Sequence, residues 1–499
     1  MNSPDRDFHQ NIELEKNSRD QKASEEIRPS LRLGQEIIFV AVVCNAQLLT
    51  QAGLGIAIAP LHIIGDSFGA SGAQLPWFPA AYSLTVGTFI LFAGRLGDLF
   101  GYRRIFIAGW LWFALWSLFA GIAVYSNQIF FDVCRALQGI GPAMLLPNAL
   151  AILGRTYPPG GRKDMVFSIF GATAPGGFLL GAVFSSMLAQ LAWWPWGYWI
   201  LCIYCILLLG ASSMVIPSDD PISWPIGNEK FDIWGTTVGV AGLIFLNVAW
   251  NQAGVVGWGE PYNYIFLIIG ILLLALFVYI EYKVSHPLLE IRKFAVPTLY
   301  ILACLAAGWG CFGIWVYYLW QIFEVLRHAT PLLACAWYAP IAISGLCAAI
   351  TTGFLLARLK PIMIMLISMA AFFSGSTLVA FMPIEQSYWA QAFVAVIIMP
   401  WGMDMSFPSG TILLSNSMPR EQQGMAASVV NTVVNYSISL SLGIAGTIES
   451  NVNDDGKNVL RGYHGALYLA MGLSGLGFLV AMSSLLREVT NGKKSADQI

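Results

Sequence analysis

An arginine inside an apolar helix needs a chemical reason. Arg135 lies in the run FFDVCRALQGIGPAMLLPNAL, with Asp132 three residues before it and Gln138 three after. That spacing puts all three on one helical face. Ionised side chains are expensive in hydrocarbon, so those that persist pair with one another, fix packing or carry ions. The stripe reads either as a structural ion pair or as a path along which charge and protons pass. Asp404 is the second such residue, in MPWGMDMSFPSG between Pro400 and Pro408. A helix broken by proline frees backbone groups, which a bilayer tolerates only where protein or a cavity covers them. A carboxylate there is a proton acceptor or cation ligand, or else a lone Asp bonded to a broken helix.

Polar uncharged residues form a weaker class. Ser428, Asn431, Asn435 and Ser439 fall on one helical face, which in lipid is interhelical glue or a lining for substrate. Asn45, Gln47, Gln51, Asn247 and Asn251 are similar. Gln51, Gln138, Asn431 and Asn435 are the candidates for a substrate path. The N-Y-S sequon at Asn435 lies inside an apolar span and is set aside as a glycosylation site. Trp193, Trp194, Trp196, Tyr198 and Trp199 read as an aromatic belt at a membrane interface. Cys202 and Cys205 make a C-x-x-C, but within an unbroken apolar run that favours packing over metal or redox chemistry. The five histidines stand apart at helix ends or in tails, and no G-x-x-x-x-G-K-[ST] loop is present. No enzyme activity, cofactor or metal is expected, and transport must draw on an ion gradient or on the substrate's own.

The elements that position these residues are membrane helices. Of 499 residues 57% are hydrophobic and 11% charged, against about 25% charged in an ordinary soluble domain. That much apolar surface must face lipid. A net charge of −2 gives no reason to expect nucleic acid. A bilayer core of about 30 Å takes about 20 apolar residues of helix. Segments that meet this test lie at 36–60, 76–95, 104–125, 129–154, 165–190, 196–216, 232–252, 262–281, 297–322, 332–356, 361–383, 388–413, 424–447 and 463–486, fourteen in all. The ninth and twelfth have edges blurred by Pro297, Pro400 and Pro408. With the N-terminus inside, of 26 Lys and Arg only Arg327, Lys457 and Arg461 fall outside and Arg135 within a span, as the positive-inside rule demands. Both termini are therefore expected in the cytosol. The expected fold is an all-α polytopic membrane protein of two pseudo-symmetric six-helix bundles plus two extra helices. A disordered tail occupies 1–35, the bundles 36–216 and 285–486, a linker with the two extra helices 217–284, and a second tail 487–499. GRLGDLFGYRR (94–104) and GFLLARLKP (353–361) form a coarse internal repeat of the kind many transporters carry.

Three segments carry a resemblance. GRLGDLFGYRR resembles the loop signature of the major facilitator superfamily between its second and third helices. RALQGIGPAMLLPNAL (135–150) is similar to the fourth-helix signature of its drug:proton antiporter branch, and GATAPGGFLLG (171–181) to the fifth-helix antiporter motif. Fourteen spans fit the larger antiporter group. PREQQGMAASVVNTVVNYSISLSLGIAGTIE resembles fungal aminotriazole-resistance and boron-exporter proteins. The resemblance implies that Asp98 joins Arg103 or Arg104 in a conformational lock, with Gly94, Gly97 and Gly101 permitting a tight turn. It implies that Arg135 takes part in proton coupling, with Asp132 or Asp404 as the titrating partner. It implies too that Gly171, Pro175, Gly176, Gly177 and Gly181 shape a hinge-like fifth helix. The pattern departs from the family's at Leu99 and Tyr102, where basic residues are common, at Ala174 before the proline, and at Gln51, where the first helix often carries Asp.

These observations lead to a proton-coupled exporter of a small toxic compound, working by alternating access as a monomer in the plasma membrane or the vacuolar membrane. Its partners are a small-molecule substrate, protons and the lipid bilayer. A nutrient or siderophore importer on the same fold and a non-transporting membrane sensor are the alternatives.

Overall fold

The computed structural model describes residues 33–157, 161–217, 232–284, 296–416, 423–454 and 456–496, and every regular element among them is helical. Fourteen helical stretches are long and apolar enough to cross a bilayer. In chain order they are Leu33–Ile58, Trp77–Phe100, Tyr102–Tyr125, Gln128–Thr156, Gly161–Leu191, Pro195–Val215, Ile233–Val256, Pro261–Lys283, Val296–Leu326, Pro331–Leu356, Pro361–Ala380, Gln391–Ser415, Ala427–Val452 and Val459–Arg487. The expected count stands. The doubtful twelfth span is a continuous helix through Pro400 and Pro408, and the ninth ends in a π-turn, Ile322–Leu326. Its widened turn absorbs the helix end just before Arg327. Leu33, Gly34 and Gln35, expected in the first tail, already belong to the first helix, and the last helix continues to Ala496. The rest of the first tail and the basic residues Lys230, Arg292, Lys293 and Arg420 lie outside the described residues.

Local chemistry explains where helices begin and turn. Pro195, Pro261, Pro331, Pro340 and Pro361 stand at first helical positions, where a missing N–H leaves nothing unsatisfied. Asn127 caps the fourth span by accepting from Phe130 N at 2.9 Å, and Asp232 caps the seventh by accepting from Gly235 N at 2.8 Å. Gly101 takes φ +95° in the one-residue link between the second and third spans, a conformation open to glycine and strained for other residues.

Spans one to six form one group and nine to fourteen another. In the first, span one runs along five, two along four, and three against four and six; in the second, nine packs on thirteen and fourteen, eleven on twelve and fourteen, and ten on twelve. The seventh and eighth pair with each other, and the seventh leans on the thirteenth and second. Most residues of the second and ninth spans are buried, which makes them inner helices, whereas few of the eighth are, and about half of its residues are exposed. Two seams join the groups, span two on thirteen and span five on ten. Fourteen crossings put the start of the first span and the end of the last on one side, called here the terminal face; the other is the far face.

Candidate transport site

Arg135 is fully buried about two turns into the fourth span, and its guanidinium is spent on neutral groups. Nε donates to the carbonyl of Phe78 at 3.1 Å, Nη2 to that of Gly53 at 2.7 Å, and Nη1 to Oε1 of Gln138. Gln138 passes the network on to Ser117 Oγ at 2.7 Å. The cation also lies over the rings of Tyr82, 4.5 Å from its centroid, and Tyr198, at 5.7 Å, an attraction that strengthens when water is excluded. One side chain thus ties together spans one, two, three, four and six. Asp132 turns elsewhere: Oδ2 accepts from Gln128 Nε2 at 3.4 Å and Oδ1 is buried with no hydrogen-bond partner. The stripe exists as expected, but in this conformation it holds no Arg–Asp ion pair. A guanidinium does not deprotonate in proteins, and here its three nitrogens are each engaged by a neutral acceptor.

The seam between the fifth and tenth spans is closed from the far face to its middle. Gln190 Oε1 accepts from Leu332 N at 3.1 Å, Ser186 Oγ lies 3.4 Å from Cys335 Sγ, and Phe178 packs on Trp320 and Tyr338 with centroids 6.0 and 5.3 Å apart. At mid-seam, a Cβ built on Gly345 would lie 2.9 Å from Asp404 Oδ2 and 3.0 Å from Pro175 Cγ. Two candidates from opposite halves of the chain therefore meet over one glycine. Asp404 Oδ2 is buried and accepts no hydrogen bond, although its neighbours are satisfied: Ser344 Oγ donates to Ile397 O at 2.6 Å and accepts from Trp401 Nε1 at 3.2 Å. Toward the terminal face nothing lies within 4 Å of the Cβ positions of Gly171 on one side and Gly353 on the other.

The fifth-helix glycines divide into two kinds. A Cβ on Gly177 would stand 2.2 Å from the carbonyl oxygen of Leu48, and one on Gly181 2.4 Å from that of Ala52, while Gly176, like Gly171, faces open space. Backbones of the first and fifth spans touch at the first pair, as small residues in membrane helices allow. Gly177→Val and Gly181→Val are expected to force these spans apart, at a cost of about 1–3 kcal/mol or more from overpacking, and to reduce transport at least about tenfold. Gly176→Ala is expected to leave transport within about twofold of wild type. Initial transport rates normalised to folded protein check both.

In the loop motif, Asp98 is met by Arg95, Nη1 to Oδ2 3.6 Å, and by the Tyr102 hydroxyl, 2.5 Å from Oδ1. Arg103 reaches the carbonyl of Ser213 in the sixth span at 2.5 Å, and Arg104 is exposed. The resemblance implies Arg103 or Arg104 as the partner; in this conformation Arg95 and Tyr102, a position where the pattern departs from the family's, stand at the carboxylate. Gly97 is crowded by Asn148, and Gly94 stands 3.3 Å, at its Cβ position, from Ser428 Oγ. On the thirteenth span, Asn431 and Asn435 donate back to the carbonyls of Ala427 and Asn431 at 2.9 and 3.0 Å. Ser439 instead bridges halves, donating to Ala80 O at 2.8 Å, with Asn247 Oδ1 at 3.1 Å. Gln51 is half-buried. Of the aromatic belt, Trp193 and Trp196 are exposed, but Trp194 and Tyr198 are core residues, Trp194 bonding Ser67 Oγ at 3.1 Å.

A polar cluster at the far face has no counterpart in the motifs. Tyr318 donates to Glu449 Oε2 at 2.7 Å, Trp320 Nε1 to Glu324 Oε1 at 3.1 Å, and Tyr463 to Gln321 Oε1 at 3.4 Å. His62, in the short helix Leu61–Phe68 after the first span, shares a 2.8 Å hydrogen bond with Gln321 Oε1 across the two halves. Burial lowers the imidazole's pKa from its usual value, opposed by the Gln321 bond and the charge of Asp66. Two acids within otherwise apolar segments were the available signal.

Comparison with known proteins agrees with this architecture. The profile of the Major Facilitator Superfamily matches residues 43–442. The "Low affinity ammonium transporter" of Saccharomyces cerevisiae is 59% identical over 92% of this chain and 90% of its own length. "Efflux pump terJ" of Aspergillus terreus is 49% identical over 91% and 89%, and the "Aminotriazole resistance protein" of S. cerevisiae 38% identical over 92% and 86%. Among solved structures, a POT family transporter in complex with a thioalcohol-conjugated peptide superposes with a TM-score of 0.66 at 14% identity, over 92% of this chain and 96% of that one; at that identity the likeness is one of fold. Two joined groups of six spans with a further pair, the motif residues in their helices and relatives matched over nine-tenths of the chain together make this protein a member of the Major Facilitator Superfamily.

Proposed function

We propose that this chain is a secondary active transporter that exports a small toxic solute in exchange for protons by alternating access. The carrying observation is Asp404, a carboxylate with a buried, unpartnered oxygen at the seam where Pro175 of one half meets Gly345 of the other. A carboxylate whose surroundings change when the seam moves binds its proton more tightly in one conformation than in the other, which is what coupling requires. Arg135 positions the first half, Asp132 is a second buried acid beside it, and the Asp98 loop locks the terminal face, which we assign to the cytosol. The relatives named as an efflux pump and a resistance protein support export. The membrane is the plasma membrane in this reading, and the unit a monomer.

A second reading has a specific support. The relative at 59% identity is named for ammonium, which favours ammonium or a small amine as cargo and uptake as a direction. A deletion strain tested against aminotriazole, boric acid and methylammonium separates the two. Export predicts hypersensitivity to one of the first two with higher cell content; ammonium uptake predicts resistance to methylammonium with lower content. Unchanged content of all three overturns both.

A further inference from the structure

The far-face cluster carries an inference that rests on the alternating-access reading. Glu449 sits three residues from the end of the thirteenth span, half-buried, and accepts a hydrogen bond from Tyr318 of the ninth span. The titratable groups nearest it are Tyr317 and Tyr318 from the ninth span and Tyr463 from the fourteenth, where Gly462 packs on Glu449, with Arg461, exposed, before it and His464, half-buried, after it. The second span keeps its charges, Arg95 and Asp98, at its other end, the seventh has no charged residue, and the twelfth has only Asp404, at mid-span. Among the described residues, no cation stands within ion-pair distance of Glu449. The rings of Tyr317, Tyr318 and Tyr463 form a row beside it, with successive centroids 5.1 and 5.5 Å apart. An ionised carboxylate beside this row of rings keeps only part of its hydration and gains one phenol donor, so its charge opposes any tightening of the row around it.

The same cluster is the place where the halves are tied. Tyr463 and His62 share Gln321 Oε1, and His62 belongs to the other half of the chain. Ser186 and Cys335 close the neighbouring seam. Any opening of the far face must part these bonds and let water reach the tyrosine row.

We propose that Glu449 is a proton-accepting residue of the far gate, its carboxylate taking one proton from the outer solution when the gate closes and giving it back when the gate opens. The proton adds to a carboxylate oxygen, the charge is cancelled, and the Tyr318 bond persists to the neutral acid. External acid therefore favours closure through Glu449. His62 acts with the opposite sign, because a buried imidazole is hard to protonate and its protonation favours exposure; comparison at matched pH removes that common contribution.

Cys335 is a native reporter, buried in the closed seam. The purified full chain in nanodiscs is labelled with a membrane-impermeant maleimide, and the signal of a Cys335→Ser control is subtracted. The ratio of wild-type to Glu449→Gln labelling rate cancels the pH dependence of thiolate chemistry. It is expected to be near one at pH about 5 and to rise at least about fivefold by pH about 8, since only the wild type then carries the charge that favours opening. Tyr318→Phe, which removes the phenol donor and leaves the acid, is expected to label faster than wild type at the higher pH. A flat ratio with Tyr318→Phe equal to wild type overturns the proposal. A pH-dependent ratio in a protein that moves no solute against a proton gradient keeps the gate and removes the antiport reading; gradient-driven transport with a flat ratio does the reverse.

Discussion

Arg135→Ala is expected to abolish transport and to lower the thermal stability of the purified protein. The substitution removes the side-chain donor that the helical carbonyls of Phe78 and Gly53 share, leaves Gln138 Oε1 without its partner, and empties the space between the Tyr82 and Tyr198 rings. Hydrogen bonds to a charged group contribute about 1.5–3 kcal/mol each, and the three bonds here, with the Tyr198 ring and the Gln138–Ser117 bond, link five helices, so the first half loses the node that fixes its packing. Arg135→Lys is the sharper variant. Lysine keeps the charge but offers a point donor in place of a planar fork, and it cannot serve Phe78, Gly53 and Gln138 at once. Transport in this variant is expected to fall about tenfold or more, equivalent to about 1.4 kcal/mol in the rate-limiting conformational step. If charge alone mattered, Arg135→Lys would transport as wild type. Scanning fluorimetry beside vesicle transport separates loss of folding from loss of function.

Asp404→Asn carries the second large effect. Asparagine preserves the shape beside Gly345 and Pro175 and cannot take up or release a proton. Downhill movement of solute is expected to persist within about threefold, while accumulation against a gradient is lost, because a ligand moves an equilibrium only through differential affinity for its states. The substitution is also expected to raise stability slightly, since a neutral amide in this seam costs less desolvation than a carboxylate. Counterflow measures the first property and gradient-driven accumulation the second. Equal loss of both would mean that Asp404 holds the seam rather than the proton.

The contrast between these residues shows how much was legible in the chain itself. Arg135, Asp132 and Asp404 stand out by type, because charge within apolar helices has few innocent explanations, and the fourteen spans follow from hydropathy and the distribution of basic residues. What Arg135 bonds to was not legible. Two of its acceptors are backbone carbonyls, which every residue supplies, and the third lies on its own helix, so no carboxylate signal marks the site. Asp404 and Pro175 were each visible within a motif or an odd segment, but their meeting over Gly345 depends on how the two halves pack. His62 looked isolated because its partner Gln321 is 259 residues away. Trp194 and Tyr198 read as interface residues because clustered aromatics at a helix end suit a headgroup layer; the turn at Pro195 points these two inward instead. The glycines of the fifth helix look alike in sequence, and only the position of the first span separates Gly177 and Gly181 from Gly171 and Gly176.

Proton exchange through the mid-seam carboxylate is tested most directly in sealed proteoliposomes with an acidic interior. Radiolabelled aminotriazole and methylammonium serve as probes, each measured against protein-free vesicles. Wild-type protein is expected to concentrate one of the two until a protonophore is added, and Asp404→Asn to equilibrate the same probe without concentrating it. Accumulation by Asp404→Asn equal to wild type, or equilibration by wild type that ignores the gradient, would contradict the account.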